Sequence, residues 1–271
     1  MVDHSAGLIR NNYIKMYGME RTFTTYSKLL IEQNMESVYV LVNMLSWKHG
    51  LHPSKFSLDA DSDWVRRWFN KSPGDIEKTE FPLALARDTF AAWERRELQY
   101  YVATKNPYAW YVSYARYKSH PKDPFKRSYI ERAFKHWNSR YESWMKLCSN
   151  DKNAYVWRYE DFVEKGLDWY LDEVSSTYNL VRKSKVFDTK KKLVPGGQRI
   201  TPSSVRRYDH DLTYYSEMRY MKEFNTATFC AVRDAVDWDI AHSMGYKYDP
   251  LRMAFFASPS EEFLIDAGEV P

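Results

Sequence analysis

The sequence predicts an α/β fold, a mostly parallel sheet with helices on both faces. Three observations carry this. Short runs rich in β-branched and aromatic residues alternate with longer stretches of helical period. Val38–Leu45 is apolar almost throughout, the pattern of a strand covered on both faces. Asn106-Pro107 opens a helix directly behind a strand, with Asn as its cap and Pro at its first position. Ligands of such sheets bind beyond the carboxyl ends of the strands, so the segments just after each strand hold the candidate site residues.

The elements follow in order. Residues 12–17 (NYIKMY) predict a first strand, and 24–34 the first helix. The second strand is Val38–Leu45. Residues 51–82 are polar and punctuated by Pro53, Pro73 and Pro82; they read as a long insertion with one helix near 63–69. Trp64 and Trp68 there would share a helix face. A helix near 85–96 leads into a third strand, 98–104 (LQYYVAT), and the Asn106-Pro107 helix runs to about Lys118. The next helix, about 125–147, places Ile130, Phe134, Trp137, Tyr141, Trp144 and Cys148 on one face by steps of three and four. Ala154–Arg158 predicts a fourth strand and 163–178 another helix, and helices near 215–224 and 226–244 close the pattern. One domain over 1–250 with a tail at 251–271 is the predicted organisation.

Composition narrows the class. The 271 residues carry 40 Lys+Arg against 36 Asp+Glu, a net +4 that is too mild for a nucleic-acid-coating protein. Aromatic residues reach 17% with 9 glycines, which excludes disordered and collagen-like chains. Cys148 and Cys230 make neither a disulfide framework nor a cysteine zinc site, and no His/carboxylate cluster has metal-ligand spacing. The longest apolar run is too short to span a bilayer, and the amino terminus lacks the layout of a secretory signal. The expectation is a cytoplasmic protein with no metal, no membrane anchor and no specific nucleic-acid partner.

Four post-strand segments hold candidate chemistry. In Gly18-Met19-Glu20-Arg21-Thr22-Phe23-Thr24-Thr25-Tyr26, a turn, a cation and hydroxyl residues open a helix, which is an anion site in outline. It is not a Walker A loop, because the second Gly and the Lys are absent. Trp47-Lys48-His49-Gly50 supplies a base suited to neutral pH beside a cation. Lys105 ends the third strand, and Ser113 lies two turns into the following helix. The segment 182–207 holds Arg182, Lys183, Lys185, Lys190, Lys191, Lys192, Arg199, Arg206 and Arg207 against Asp188. Its Pro195-Gly196-Gly197 lets backbone approach a ligand closely, and its charge favours an anionic ligand or partner.

Together these segments resemble the sulfotransferase superfamily, whose donor is 3′-phosphoadenosine 5′-phosphosulfate (PAPS). The family's strand–loop–helix reads approximately P-K/R-S/T-G-T-T-W/Y. Glu20-Arg21-Thr22-Phe23-Thr24-Thr25-Tyr26 is similar to it, with Phe23 at the glycine position. The family's Arg-x-Pro with a Ser eight residues on is matched by Lys105-Asn106-Pro107 and Ser113. Trp47-Lys48-His49-Gly50 resembles the segment that carries the family's base, and Arg158-Tyr159-Glu160-Asp161 its R-Y-E-D strand end. Val236-Asp237-Trp238-Asp239 through Gly245-Tyr246 resembles its closing helix.

The resemblance implies a P-loop-like three-layer sandwich and in-line transfer of a sulfuryl group to a hydroxyl of a glycan or small molecule. It implies that Arg21, Thr22, Phe23, Thr24, Thr25 and Tyr26 hold the 5′-phosphosulfate, with Gly196, Gly197 and Arg199 as further donor contacts. Lys105 and Ser113 would hold the 3′-phosphate. His49 would be the base, with Lys48 and Arg21 neutralising the leaving group, and adenosine 3′,5′-bisphosphate would be the second product. Two other classes share some of these features. A P-loop phosphotransferase would use Mg²⁺ held near Glu160-Asp161. A degenerate, non-catalytic module would bind polyanions through 182–207.

Overall fold

The computed structural model describes residues 12–53, 83–118, 124–186 and 212–248. The helix expected near 63–69, Trp64 and Trp68, the segment with Gly196, Gly197 and Arg199, and the tail from 251 lie outside them. Strands are β1 (Asn12–Gly18), β2 (Val38–Leu41), β3 (Gln99–Thr104) and β4 (Ala154–Arg158). Helices are α1 (Thr24–Asn34), α2 (Leu83–Glu94), α3 (Pro107–Lys118), α4 (Arg127–Asn150), α5 (Tyr159–Tyr178), α6 (Leu212–Ser216), α7 (Thr226–Ala235) and α8 (Trp238–Ser243). Arg219–Glu223 is a 3₁₀ turn.

The chain divides into two compact units. Unit 1 takes its described residues from Met1–Thr104 and Arg140–His210, and unit 2 from Lys105–Ser139 and Asp211–Pro271. Each is treated by itself.

Unit 1 holds the sheet. Its four strands run in the order β2-β1-β3-β4, and every pairing is parallel. The chain passes from β1 to β2 on one side and then returns to β3 on the other. The strand order therefore reverses between β1 and β3, where parallel sheets open a crevice beyond their carboxyl ends. Both faces are covered. On one, the Tyr101 hydroxyl of β3 donates to Ser27 Oγ of α1 at 3.1 Å and lies 3.0 Å from the Tyr170 hydroxyl of α5. On the other, Tyr17 of β1 stacks on Trp144 of α4, ring centroids 5.8 Å apart, and the Tyr141 hydroxyl donates to the Ala103 carbonyl at 2.9 Å.

Two elements end earlier than the apolar pattern suggests. The second strand stops at Leu41 rather than Leu45: the chain bends from Val42, whose carbonyl accepts from the Lys48 amide at 2.6 Å, and it goes on through left-handed φ values of 55° and 91° at Leu45 and Ser46. The expected helix over 226–244 is two helices. Asp237 caps the second, its Oδ1 accepting from the amides of Asp239 and Ile240 at 3.1 Å each. A carboxylate that satisfies the first amides of a new helix interrupts the old one. Within α5, Gly166 adopts φ 85°, a kink the sequence reading did not foresee.

Most of the expected helix face of α4 is core: Ile130, Phe134, Trp137, Tyr141 and Trp144 are fully buried, while Cys148 at its end is half-buried.

Phe23 stands where the family pattern has glycine, and its backbone behaves as glycine's would, with φ 54° and ψ 15° as the N-cap of α1. A left-handed residue with a side chain carries about 1–2 kcal/mol of strain. Ring packing offsets it: Phe23 lies 5.1 Å from Tyr159, 5.7 Å from Phe162 and 6.1 Å from Tyr170, centroid to centroid. Phe23→Gly and Phe23→Ala both lose that packing, but only the Ala variant keeps the strain. Urea unfolding should therefore find Phe23→Ala the less stable of the two by about 1 kcal/mol. Equal stability would mean the position is not left-handed.

Candidate functional site

The turn after β1 is built on Gly18. A Cβ there would meet the Ala103 carbonyl oxygen at 2.9 Å and both Thr22 Oγ1 and Thr24 Cγ2 at 2.8 Å. Hydrogen alone fits. Thr22 is fully buried, and its hydroxyl donates to the Met19 carbonyl at 2.6 Å. Thr24 is buried as well. These two threonines shape the turn, and Thr25 is the exposed hydroxyl at the mouth of α1. Arg21 is half-buried with φ 71°, and Tyr26 is buried with its ring edge on Phe162. Phe23 offers no side-chain acceptor to the helix start. The Thr24 and Thr25 amides have no carbonyl acceptor within the helix, and the helix dipole adds positive potential there.

The turn after β2 folds onto this one. The Gly18 amide donates to the Lys48 carbonyl at 3.0 Å, and Lys48 Nζ donates to Thr25 Oγ1 at 3.1 Å. His49 Nδ1 bonds the Gly18 carbonyl. A carbonyl only accepts, so Nδ1 carries the proton and Nε2 keeps its lone pair. Among the described residues no hydrogen bond engages Nε2. Burial pushes His49 down to about 4; the bond to Gly18 opposes the shift, the charges of Lys48 and Arg140 add to it, and Glu20 opposes it. Lys48 is lowered too, by burial first and the Lys28 charge second, with Glu20 again opposing. A neutral imidazole, a cation and helix amides thus stand together where β1 and β2 end. The sequence segments 18–26 and 47–50 are brought to one place.

Beneath this turn lies a polar cluster that the sequence reading missed. Lys15 points from the middle of β1 and is fully buried. Its Nζ donates to the carbonyls of Ser46 at 2.6 Å and Val42 at 3.4 Å, so it ties down the chain that leads to Lys48 and His49. Burial pushes its pKa well below the usual range, and the Lys48 charge adds to that. The Tyr17 hydroxyl, one pleat along, meets His52 Nδ1 at 3.1 Å. The His52 amide donates to Ser143 Oγ at 3.2 Å, and Trp144 Nε1 donates to the Gly50 carbonyl at 3.1 Å. The available signal was a lone lysine in an otherwise apolar strand.

His52, like His49, is lowered to about 4, by burial first and the Lys15 charge second. Both rings are therefore neutral in the folded protein at pH 5, whereas an unfolded histidine protonates near 6.5. Between those values the unfolded chain binds more protons, so stability falls as pH falls. From pH 7 to pH 5 the loss is about 2 kcal/mol for each histidine, read from urea unfolding. His52→Asn should remove about half of that slope. A stability that does not change between pH 7 and 5 would contradict these environments.

Lys105 and Ser113 belong to unit 2. Asn106 Oδ1 accepts from the Tyr108 amide at 3.0 Å, the cap the sequence predicted for α3. Lys105 is buried with its Nζ 3.7 Å from the centre of the Tyr215 ring, a cation–π contact. Ser113 is half-buried on α3. Of the basic segment, Arg182 pairs with Asp168 and Asp172, and Lys183 Nζ donates to the Glu32 carbonyl at 3.0 Å, so both are tied to the body of unit 1. Arg158 grips both carboxylate oxygens of Asp161, at 2.8 and 2.6 Å, where β4 enters α5.

No protein-family model matches this chain, and neither a curated protein nor a solved structure gives a significant match. Among the described residues, no helix is long and apolar enough to cross a membrane, and no three His, Cys, Asp or Glu side chains gather as a metal site.

Proposed function

We propose that this protein is a PAPS-dependent sulfotransferase with its catalytic groups at the carboxyl ends of β1 and β2. The observation that carries the proposal is the joining of two separate sequence segments. His49 bonds the Gly18 carbonyl, and Lys48 Nζ meets Thr25 at 3.1 Å, so a base and a cation flank the helix N-terminus at its exposed residue, Thr25. The strand order β2-β1-β3-β4, with helices on both faces, is compatible with the P-loop-like three-layer sandwich that the resemblance implies.

The residues present fit an anionic donor. The Thr24 and Thr25 amides and the Thr25 hydroxyl are hydrogen-bond donors, and Lys48 and Arg21 are cations beside them. When bound, PAPS would supply an activated sulfuryl group, whose bridging S–O bond breaks as the acceptor oxygen bonds to sulfur. His49 Nε2 takes the acceptor's hydroxyl proton. Lys48, Arg21 and the first amides of α1 neutralise the charge left on the phosphate oxygen of the departing adenosine 3′,5′-bisphosphate. Gly18 holds the imidazole in the tautomer this needs. The chemistry is positioning and electrostatics, as in phosphoryl transfer.

Incubation with PAPS and a panel of alcohols, phenols and glycans tests this. Release of adenosine 3′,5′-bisphosphate that depends on an acceptor is the expected result. Conversion of Mg-ATP to ADP without it would overturn the proposal in favour of a phosphotransferase. The engagement of Asp161 by Arg158 already weighs against a magnesium site at that strand end.

A further inference from the structure

Arg140 lies in none of the four post-strand segments that hold the candidate chemistry. It lies on α4 one residue before Tyr141, whose hydroxyl donates to the Ala103 carbonyl at 2.9 Å near the end of β3. It also lies one helical turn before Ser143 and Trp144, which hold the His52 amide and the Gly50 carbonyl. α4 therefore brings Arg140 to the carboxyl end of the sheet, over the turn that carries His49.

The guanidinium is incompletely used. Its Nη1 is buried and has no hydrogen-bond partner among the described residues. Those residues also offer it no salt bridge, although eleven other ion pairs are present among them. A buried charged donor without an acceptor is costly, and proteins seldom leave one unless a ligand completes it. The Arg140 charge also reaches His49, where it opposes protonation. A planar fork of N–H donors is the side chain best matched to a tetrahedral oxyanion.

We infer that Arg140 is an oxyanion-binding residue of this site, its guanidinium taking the sulfuryl oxygens of the donor on the side of the acceptor and His49. The inference rests on the proposed transfer reaction for the identity of the anion. It deepens that reaction by adding a cation from outside the strand–turn–helix loop. With an anion held by Arg140, the obstacle that its charge sets against protonation of His49 is reduced, so binding of the donor and activation of the base are linked.

The test uses inorganic sulfate alone, with sodium chloride at matched ionic strength as the control. Sulfate should shift the Arg140 guanidinium ¹⁵N resonance of the intact protein, assigned by its loss in Arg140→Lys, and chloride should not. Arg140→Gln should weaken sulfate binding about tenfold or more, with Lys intermediate. In the Gln variant without sulfate, the His49 ring should titrate at higher pH than in the unmodified protein. An Arg140 resonance that sulfate leaves in place overturns the inference, and needs no variant with a lost charge to fold. So does unchanged sulfate affinity in a folded Gln variant. Sulfate bound through Arg140 without any turnover of PAPS would uphold the oxyanion site and reject the transfer reaction. Turnover of PAPS unaffected in Arg140→Gln would do the reverse.

Discussion

Replacing His49 with Ala should slow acceptor-dependent turnover of PAPS by roughly 10²–10⁴-fold, the usual contribution of a positioned base. Nucleotide binding should persist, because the cations and helix amides that meet the anion come from other residues. The pH profile gives a second readout. With His49 near 4 in the free protein, the acid limb of kcat/KM should fall near pH 4, well below the usual histidine range. The limb of kcat reports the bound state, and an anion beside the ring should move it to higher pH. Full activity in the Ala variant would remove His49 from the chemistry. An acid limb shared by kcat and kcat/KM would mean that the bound anion does not approach the ring.

Gly18→Ala should be the most damaging small substitution in the turn. Contacts of 2.8–2.9 Å between the new methyl and three neighbours leave nothing cheap to move, since one of them is the Ala103 backbone. Gly18 also has φ 157°, at the edge of the region that only glycine visits freely. Overpacking of this kind costs about 1–3 kcal/mol, and the backbone term adds to it. The effect on function should exceed the effect on stability. Gly18 donates to the Lys48 carbonyl and accepts from His49, so a displaced strand end separates the base from the helix start. Urea unfolding and the His49 ring resonance measure the two effects. An Ala variant with wild-type stability and an unmoved His49 signal would show that β1 and β3 are not packed this closely.

Much of the fold was legible in the sequence because the strands are short apolar runs between helices of clear period. The cap of α3 by Asn106, most of the buried face of α4 and the end of β4 at Arg158 follow directly from residue type and spacing, whereas α5 starts at Tyr159, four residues before the apolar period suggests. The early end of β2 was not legible. A largely apolar stretch such as Val42–Leu45 continues a strand by pattern, and the bend that begins at Val42 goes with contacts distant in sequence, its carbonyl accepting from Lys15 Nζ and the Lys48 amide. The break at Asp237 was masked in the same way by apolar residues on either side. For the site, the two turns were visible as motifs, but their joining was not, since it depends on parallel pairing that brings residue 18 beside residues 48 and 49. No local spacing marks Lys15, because its place under the turn comes from burial in the folded sheet.

The donor class is decided most directly by a thermal-unfolding titration with adenosine 3′,5′-bisphosphate against ATP. A ligand at about one hundred times its dissociation constant adds about 2.7 kcal/mol to the folded state, a clear rise in midpoint. The bisphosphate should raise the midpoint in a concentration-dependent way and ATP should not, with the rise reduced in Arg21→Ala. A midpoint unmoved by the bisphosphate, or moved equally by ATP, would contradict a sulfotransferase donor site.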